Sequence, residues 1–399
     1  MNSKKYEISL IFLTYLLIWA SFGNLALIKL PYDRGAIIIA GVMSVLIGYS
    51  YFILRKFFPD GDKHIFIFAN MLAVIGIAML YRIQSFYAVK QIITYSLGVM
   101  GFILIVIFFP DLKKYYKYKY FYLVMTLIFM AMAYFIGSEE YGSKNWIKIG
   151  SIYMFQPSEV GKLFLVAYLA ASLKKYKSFK NLIIPAFVVM VSLGFMVLQK
   201  DLGSALIIFS ISLTMVFIGT SKFKYVILGL LLFAAGTYFS YKIFPHVRVR
   251  FTIWKDPWAD PTGKGMQLVQ SMIAIAWGGL SGTGLGLGYP NVIPVNISDF
   301  IFIPICEEMG VIMGLGILIL YFLLFYRCMR AAVYVEDEFS RLLAVGYSTT
   351  IASQALVNIG GVTNAIPLTG LTLPFISYGG SSMLIMFFSL GIVQKISEE

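Results

Sequence analysis

The stretch GVIMGLGILILYFLLFY, residues 310–326, contains no charged side chain and no proline. A second apolar run of this kind, QIITYSLGVMGFILIVIFFP, occupies residues 91–110. A helix needs about 20 apolar residues to cross the hydrocarbon core of a bilayer. Because both runs are continuously apolar and do not alternate with polar residues, they predict membrane-spanning helices and exclude a β-barrel.

The whole chain has the composition of a membrane protein. Of its 399 residues, 59% are hydrophobic and 13% are charged, whereas soluble domains carry about 25% charged residues. We therefore predict an all-α integral membrane protein, a polytopic bundle of about 12 transmembrane helices. The predicted helices lie near 8–31, 36–54, 65–84, 91–109, 120–136, 159–173, 182–198, 202–220, 224–242, 300–326, 341–362 and 373–394.

The distribution of lysine and arginine predicts the orientation. With the N-terminus inside, the inner loops carry most of the cations, as expected for cytoplasmic loops. These are Arg55, Lys56, Lys63, Lys113, Lys114, Lys117, Lys119, Lys174, Lys175, Lys177, Lys180, Lys222, Lys224, Arg327, Arg330 and Arg341. Both termini are then cytoplasmic. The net charge of +13 is explained by topology and by attraction to anionic membrane lipids, so no nucleic-acid partner is required.

The chain is predicted to form a single membrane domain, 1–399, with a large extracellular loop at 241–298. Arg248 and Arg250 place positive charge outside, against the topological bias, and would face one way in an extended strand. Arginine suits phosphate because its planar fork forms paired hydrogen bonds. Residues 267–279 predict an amphipathic interfacial helix. The glycines of 282–288 predict flexible or tightly turned backbone, because a dinucleotide site would need a flanking strand and crossover helix.

Asp299 stands where a polar stretch meets an apolar run, and an ionised carboxylate is costly against lipid. It is therefore either a helix N-cap or a working group. In a helix that begins near Asp299, Glu307 would lie about 80° around the axis and about 12 Å along it. Glu308 would lie on nearly the opposite face, so both glutamates cannot join Asp299 in one site.

Other polar residues leave two interpretations open. Glu159 and Lys162 are three apart and share a helix face, either as a satisfied ion pair near a helix start or as the polar wall of a cavity. Asp201, beside Lys200, is either an N-cap or a group that points into a cavity. Ser377 lies among small and polar residues, which predict tight packing or a broken helix.

Taken together and in order, these motifs resemble the FtsW/RodA/SpoVE family of shape, elongation, division and sporulation proteins. The motifs are WIKIG at 146–150, QPSE at 156–159, QKDLG at 199–203, Arg250 with Asp256-Pro257, SDFIF at 298–302, EEMG at 307–310 and PFISYGGS at 374–381. Many members carry His-Thr where this chain has Ile297 and Ser298. The resemblance implies a ten-helix core, here 61–399, preceded by an extra helix pair at 1–60.

The resemblance also implies an activity. Members are peptidoglycan glycosyltransferases of the bacterial plasma membrane that polymerise lipid II and work with a class B penicillin-binding protein. Their essential aspartate corresponds to Asp299, which we expect to act as a general base. A lipid II flippase, or a transporter of another polyprenyl-linked substrate, is the alternative function.

The remaining candidate site residues are expected to bind the substrate. They are Arg248, Arg250, Lys162, Lys200, Glu159, Asp201, Glu307 and Ser377. The cations suit a pyrophosphate leaving group. A divalent cation, Mg²⁺ or Mn²⁺, could share that task if Glu159, Asp201 or Glu307 helped to hold it. The sequence itself shows no metal site.

Overall fold

A computed structural model describes residues 2–28, 31–109, 111–140, 142–149 and 153–399. Gly150, the last residue of the WIKIG motif, and residue 30, near the end of the first predicted helix, lie outside the described residues. The described residues form fourteen α-helices. They are α1 Asn2–Ile28, α2 Arg34–Phe57, α3 Lys63–Ile83, α4 Ser85–Phe108, α5 Lys119–Ile136, α6 Pro157–Leu173, α7 Lys180–Leu198, α8 Leu202–Thr220, α9 Phe223–Ile243, α10 Pro245–Lys255, α11 Met266–Gly278, α12 Phe302–Tyr334, α13 Glu338–Val362 and α14 Gly380–Ile396.

Each of the twelve predicted apolar segments overlaps a helix. Within the described ranges, ten helices are long and apolar enough to cross a membrane. The remaining two of the twelve, α6 and α14, have 17 residues each. The all-α, multi-pass membrane architecture is therefore confirmed, while the total of twelve spans stays a prediction.

The chain divides into two compact units. Unit 1 consists of Met1–Phe108, Asp260–Arg327 and Thr372–Glu398, and unit 2 consists of Phe109–Ala259, Cys328–Leu371 and Glu399. The predicted loop 241–298 thus contributes residues to both units. Its two helices are α10 and α11, and α11 confirms the predicted helix at 267–279.

In unit 1, α3 forms the core. Its side chains are buried on nearly every face, from Ile65 to Tyr81, because the helix is apolar all round and is covered by α1, α4 and α14. A buried polar contact crosses this core, where Tyr95 donates a hydrogen bond to the side-chain oxygen of Asn70. Helix α4 packs along α14. This core supports the segments that carry Asp299.

In unit 2, α13 packs against α6 and α8, and α5 packs against α6 and α7. A small antiparallel sheet joins α5 to α6, with strands β1 Ser138–Glu140, β2 Ser143–Ile149 and β3 Tyr153–Phe155 in the order β1-β2-β3. The sequence did not predict this sheet. Its strands are short and lack a long alternating pattern, so they leave a weak signal.

Three local predictions were wrong. Arg248 and Arg250 do not lie on an extended strand, because Pro245 begins a helix there. Two helical residues that are two apart point about 200° from each other, so the arginines do not face one way. Helix α14 begins at Gly380 instead of residue 373, and α12 is interrupted at Gly310, whose φ is +81°.

Candidate functional site

Asp299 lies in a turn three residues before the start of α12. Its side chain is half-buried, whereas Phe300 and Ile301, which follow it, are buried. The apolar pair anchors the turn against unit 1. Asp299 therefore lies at the boundary between the polar stretch and the apolar helix, as in the sequence, but three residues before the helix begins and not at its N-cap position.

A non-helical segment, Leu373 to Gly379, holds the turn that carries Asp299. We call these residues the support segment. The Ser377 hydroxyl donates to the carbonyl of Ser298 at 2.5 Å and accepts from the Leu373 N–H at 2.7 Å. The backbone N–H of Tyr378 donates to the carbonyl of Ile297 at 2.9 Å. Ser377 is thus joined to the backbone next to Asp299.

The glycine loop, residues 278–288, inserts into the break of α12 at Gly310. The N–H groups of Thr283 and Gly284 donate to the carbonyls of Glu307 and Glu308, at 3.0 and 2.9 Å. In a continuous helix these carbonyls would bond to residues 311 and 312. The N–H groups of those two residues instead bond to Gly279 and Leu280 of the loop, at 3.0 and 3.2 Å. The loop therefore replaces the lost helical bonds.

The two glutamates of the EEMG motif use their side chains on the same loop. The N–H of Tyr289, just after the loop, donates to Glu307 at 2.9 Å, and the N–H of Gly286 donates to Glu308 at 2.8 Å. Arg82 forms an ion pair with Glu308 at 3.2 Å and donates to the carbonyl of Gly286 at 2.8 Å. Both carboxylates are buried. The glycines are tightly turned, and the glutamates hold the loop.

In unit 2, Glu159 and Lys162 form the predicted ion pair. Their charged atoms are 2.8 Å apart, and the two side chains are only 2% and 1% exposed. Lys162 also donates to the side-chain oxygen of Gln354, on α13, at 3.2 Å. The second carboxylate oxygen of Glu159 is buried without a hydrogen-bond partner among the described residues. A buried charged pair at the start of an apolar helix is a candidate functional site.

Asp201 is the N-cap of α8, and its carboxylate accepts four hydrogen bonds. The Ser204 N–H donates to one oxygen at 2.9 Å. The other oxygen accepts from the side chains of Asn145, Gln156 and Ser204 at 3.0, 3.1 and 2.9 Å. Asp201 thereby joins β2, the start of α6 and α8. The capping interpretation accounts for the bond from the Ser204 N–H, while the three side-chain donors satisfy the other oxygen inside the protein.

The candidate cations of unit 2 have different surroundings. Arg250 is half-buried and donates to the carbonyls of Leu368 and Thr369 at 3.0 and 2.9 Å. Arg248 is exposed and donates to the carbonyl of Lys242. Lys200 forms a surface ion pair with Glu139 at 2.7 Å, and this hydrogen bond lowers the pKa of the Glu139 carboxyl.

The described residues contain no group of three or more His, Cys, Asp or Glu side chains placed to hold a metal ion. Lys162 already occupies one oxygen of Glu159, and protein donors occupy both oxygens of Asp201. The carboxylates predicted to share a divalent cation therefore do not form a cluster for one.

Comparison with known proteins gives the same answer as the motifs. A family model described as "Cell cycle protein", for FtsW, RodA and SpoVE, matches residues 62–399. The chain belongs to the FtsW/RodA/SpoVE family. It is 36% identical to the peptidoglycan glycosyltransferase RodA of Mycobacterium tuberculosis, over 88% of this chain and 81% of that protein. It is 32% identical to stage V sporulation protein E of Bacillus subtilis, over 84% and 96%.

The fold of this FtsW/RodA/SpoVE family member is also similar to a solved structure. A chain of a peptidoglycan synthase complex that coordinates polymerization and crosslinking matches with a TM-score of 0.73 and 26% identity, over 84% of this chain and 97% of that one. All of the predicted site residues fall within the part matched by the family model. Helices α1 and α2 precede that part.

The structure groups the predicted site residues of this family member within its units. In unit 1, Ser377 bonds to the turn of Asp299, and Glu307 bonds next to the glycine loop. In unit 2, Glu159 meets Lys162. Sequence reasoning missed the partners that complete these contacts. They are Arg82, Gln91, Asn145 and Gln354, while Gln156 was noted only as part of the QPSE motif. The available signal was a polar side chain within or at the end of an apolar run, as at Gln91 and Arg82.

Proposed function

We propose that the protein is a peptidoglycan glycosyltransferase that polymerises lipid II into glycan strands at the bacterial plasma membrane. The observation that carries this proposal is the family match over residues 62–399, which includes Asp299. Relatives of 36% identity are named peptidoglycan glycosyltransferases. The half-buried carboxylate in the turn before α12 supplies the group that such chemistry needs.

The orientation belongs to the same proposal. The inner loops predicted from lysine and arginine put both termini in the cytoplasm. Asp299 then lies at the outer face of the membrane, where the sugar and peptide of lipid II would be available for polymerisation.

In the proposed reaction, the 4-hydroxyl of an N-acetylglucosamine attacks the anomeric carbon of an N-acetylmuramic acid. The hydroxyl proton moves to the Asp299 carboxylate while the new carbon–oxygen bond forms. The old bond to the phosphate oxygen breaks, and undecaprenyl pyrophosphate leaves with the electron pair. Asp299 thus acts as the general base.

The leaving pyrophosphate gains negative charge and needs cations near it. Arg250, Arg248, Lys162 and Lys200 are the proposed cations. Glu159, Asp201 and Glu307, whose carboxylates bond to protein groups, position the segments of the site. Arg250 is the favoured pyrophosphate ligand because it is half-buried and a guanidinium can bind phosphate through two parallel bonds. Arg248 lies on another face of α10 and reaches solvent.

The proposed partner is a class B penicillin-binding protein, a transpeptidase that would crosslink the strands made by this chain. The similarity to a chain of a complex that coordinates polymerization and crosslinking supports this pairing. Membrane lipids surround the apolar helices. No nucleic-acid partner is part of the proposal.

The test is Asp299→Asn in full-length protein, purified with its partner and given labelled lipid II. The amide keeps the size of the side chain but cannot accept the proton, so we expect glycan synthesis to fall at least about 100-fold. Gel analysis of strand length and initial rate provides the measurement. A normal rate would exclude Asp299 as the base.

The matched control is Asp260→Asn, an exposed acid in the same predicted loop that accepts a hydrogen bond from the Lys264 N–H. It should polymerise as the parent does. A transporter would instead move labelled lipid II between leaflets of a vesicle and make no polymer. That outcome with the parent protein would favour the alternative function.

A further inference from the structure

We propose that Ser377 and Gln91 are positioning residues that fix the backbone of Asp299. This inference rests on the proposed role of Asp299 as the general base. It gives Ser377 a different task from the substrate contact predicted from the sequence. Neither side chain takes part in the reaction, and both act through hydrogen bonds to backbone atoms.

The support segment contacts the turn of Asp299 directly. Ser377 and Tyr378 bind the carbonyls of Ser298 and Ile297, the two residues directly before Asp299. Two adjacent peptide groups are thereby held by two adjacent residues. The direction in which the chain enters Asp299 is therefore set by the support segment.

The Ser377 hydroxyl forms two hydrogen bonds. It donates its proton to Ser298 and accepts from the Leu373 N–H at 2.7 Å. The side chain is 4% exposed. Since both of these bonds are made inside the protein, the hydroxyl links the support segment to the turn.

Side chains of two helices hold the support segment itself. Gln91, fully buried on α4, donates to the carbonyl of Ser377 at 2.9 Å and accepts from the Gly379 N–H at 3.3 Å. Both ends of its amide are used. Tyr321 donates to the carbonyl of Pro374. Helices α4 and α12 therefore hold the segment through its backbone.

A close approach on α3 completes the support. A Cβ added at Gly76 would lie 2.3 Å from the carbonyl oxygen of Ile376 and 2.5 Å from its Cα. The support segment thus rests directly on the backbone of the buried core helix. Only glycine permits this approach without moving the segment.

Two strained residues flank the contact. Val295, in the turn, has φ +59°, and Phe375, in the support segment, has φ +65°. This region is unfavourable for a β-branched or bulky side chain. Such strain persists only where the surroundings impose it, and it is concentrated at functional sites. Both segments are held in conformations that they would not adopt alone.

The test compares Ser377→Ala with Ser377→Thr in full-length protein with its partner and labelled lipid II. A displacement of about 1 Å at a catalytic group can cost about 100-fold in rate. We expect Ser377→Ala to lower kcat about 10- to 100-fold while KM for lipid II changes less than about 2-fold. Threonine keeps the hydroxyl and should restore most of kcat. A lost substrate contact would instead raise KM.

Gln91→Met provides a second variant, from the other side of the network, in case Ser377→Ala does not fold. It should show the same loss of kcat with unchanged KM. The matched control is Ser389→Ala, a buried serine on α14 whose one side-chain hydrogen bond in the described part of the chain goes to the carbonyl of Ile385 in its own helix. Its kcat should equal that of the parent.

The outcomes separate this inference from the proposed function. Asp299→Asn without activity, together with normal kcat in Ser377→Ala and Gln91→Met, overturns the positioning role alone. A raised KM in both variants, or no rescue by threonine, also overturns it. Normal activity of Asp299→Asn overturns the general base, and the positioning role with it.

Discussion

At the scale of single residues, the buried pair of Glu159 and Lys162 poses the sharpest question. Its spacing was readable from the sequence, but its burial was not. Burying two charges costs more than their attraction returns in many proteins, and removal of one partner leaves an uncompensated charge. The contact with Gln354, 192 residues further on, could be found only in the folded chain.

We expect Lys162→Met to destabilise the protein by about 3–5 kcal/mol, because Glu159 would remain charged and buried. The double variant Glu159→Gln with Lys162→Met should recover most of that stability. Glycan synthesis should stay lost in both variants if the pair serves the reaction. Thermal unfolding in detergent and the polymerisation assay measure the two effects separately.

The control is Arg341→Met, which breaks the pair with Glu338 at the same helical spacing and a similar distance of 2.9 Å. Both side chains there are 40% exposed, so the loss should stay below about 1 kcal/mol. Normal polymerisation by the Glu159 and Lys162 double variant would show that the buried pair is purely structural.

At the scale of elements, the break in α12 decides where the glycine loop and the EEMG glutamates lie. The apolar pattern predicts one continuous helix through residue 310. Such a pattern shows which residues are apolar, but it does not show where backbone groups of the helix bond to a loop instead of to the next turn. The predicted start of α14 was seven residues too early, although the small and polar residues around Ser377 had already left a broken helix open. The backbone of the support segment bonds to Gln91 and to the turn instead of forming a helix.

Gly310→Ala should therefore destabilise unit 1 by at least about 1–3 kcal/mol from the backbone conformation alone, because essentially only glycine adopts a positive φ with an extended ψ. The loss should be larger because the new Cβ would meet the carbonyl oxygen of Leu280 at 2.2 Å and the nitrogen of Gly282 at 2.6 Å. Displacement of the glycine loop should also leave Glu307 and Glu308 without their backbone donors. Thermal unfolding in detergent measures the change.

Gly316→Ala is the matched control on the same helix, since a Cβ there meets no atom within 4 Å. It should be neutral or stabilise the protein by up to about 1 kcal/mol, because alanine favours helix. Equal unfolding temperatures for the two variants would contradict the role assigned to the break.

At the scale of the whole molecule, ion pairs join helices that are distant in sequence within each unit. In unit 1, Arg327 lies 2.6 Å from Asp62, which also accepts from the backbone N–H of His64 at 3.1 Å. In unit 2, Lys174 lies 2.7 Å from Asp337. Burial opposes ionisation of both carboxyls, but hydrogen bonds from His64 and Arg327, and from Lys174, outweigh it and lower the pKa of Asp62 and of Asp337.

A lowered pKa fixes the sign of the pH dependence. The stabilisation is fully present above the unfolded pKa, near pH 4, and is lost as pH falls through the lower folded value. We expect the unfolding temperature in detergent to drop steeply below about pH 4. Asp62→Asn should be less stable at neutral pH and should lose less stability on acidification than the parent. Parallel curves would contradict this assignment.

The sequence by itself determined the class of the protein, the approximate positions of its long apolar helices and its family. Within lipid, the backbone N–H and C=O groups of an apolar run must form hydrogen bonds inside the run, and a helix does this. The ordered motifs that indicate the family are visible in the sequence alone. Asp299 could also be singled out from the sequence, because an ionised carboxylate beside an apolar run is costly to place against lipid.

Only the tertiary structure decided what surrounds each of these groups. Ser377 meets Ser298 across 79 residues, Arg82 meets Gly286 across 204, and Gln91 meets Ser377 across 286. No local pattern encodes such contacts, because they arise where irregular backbone must find partners away from water. The pairing of the support segment with the turn of Asp299 is therefore a property of the folded chain.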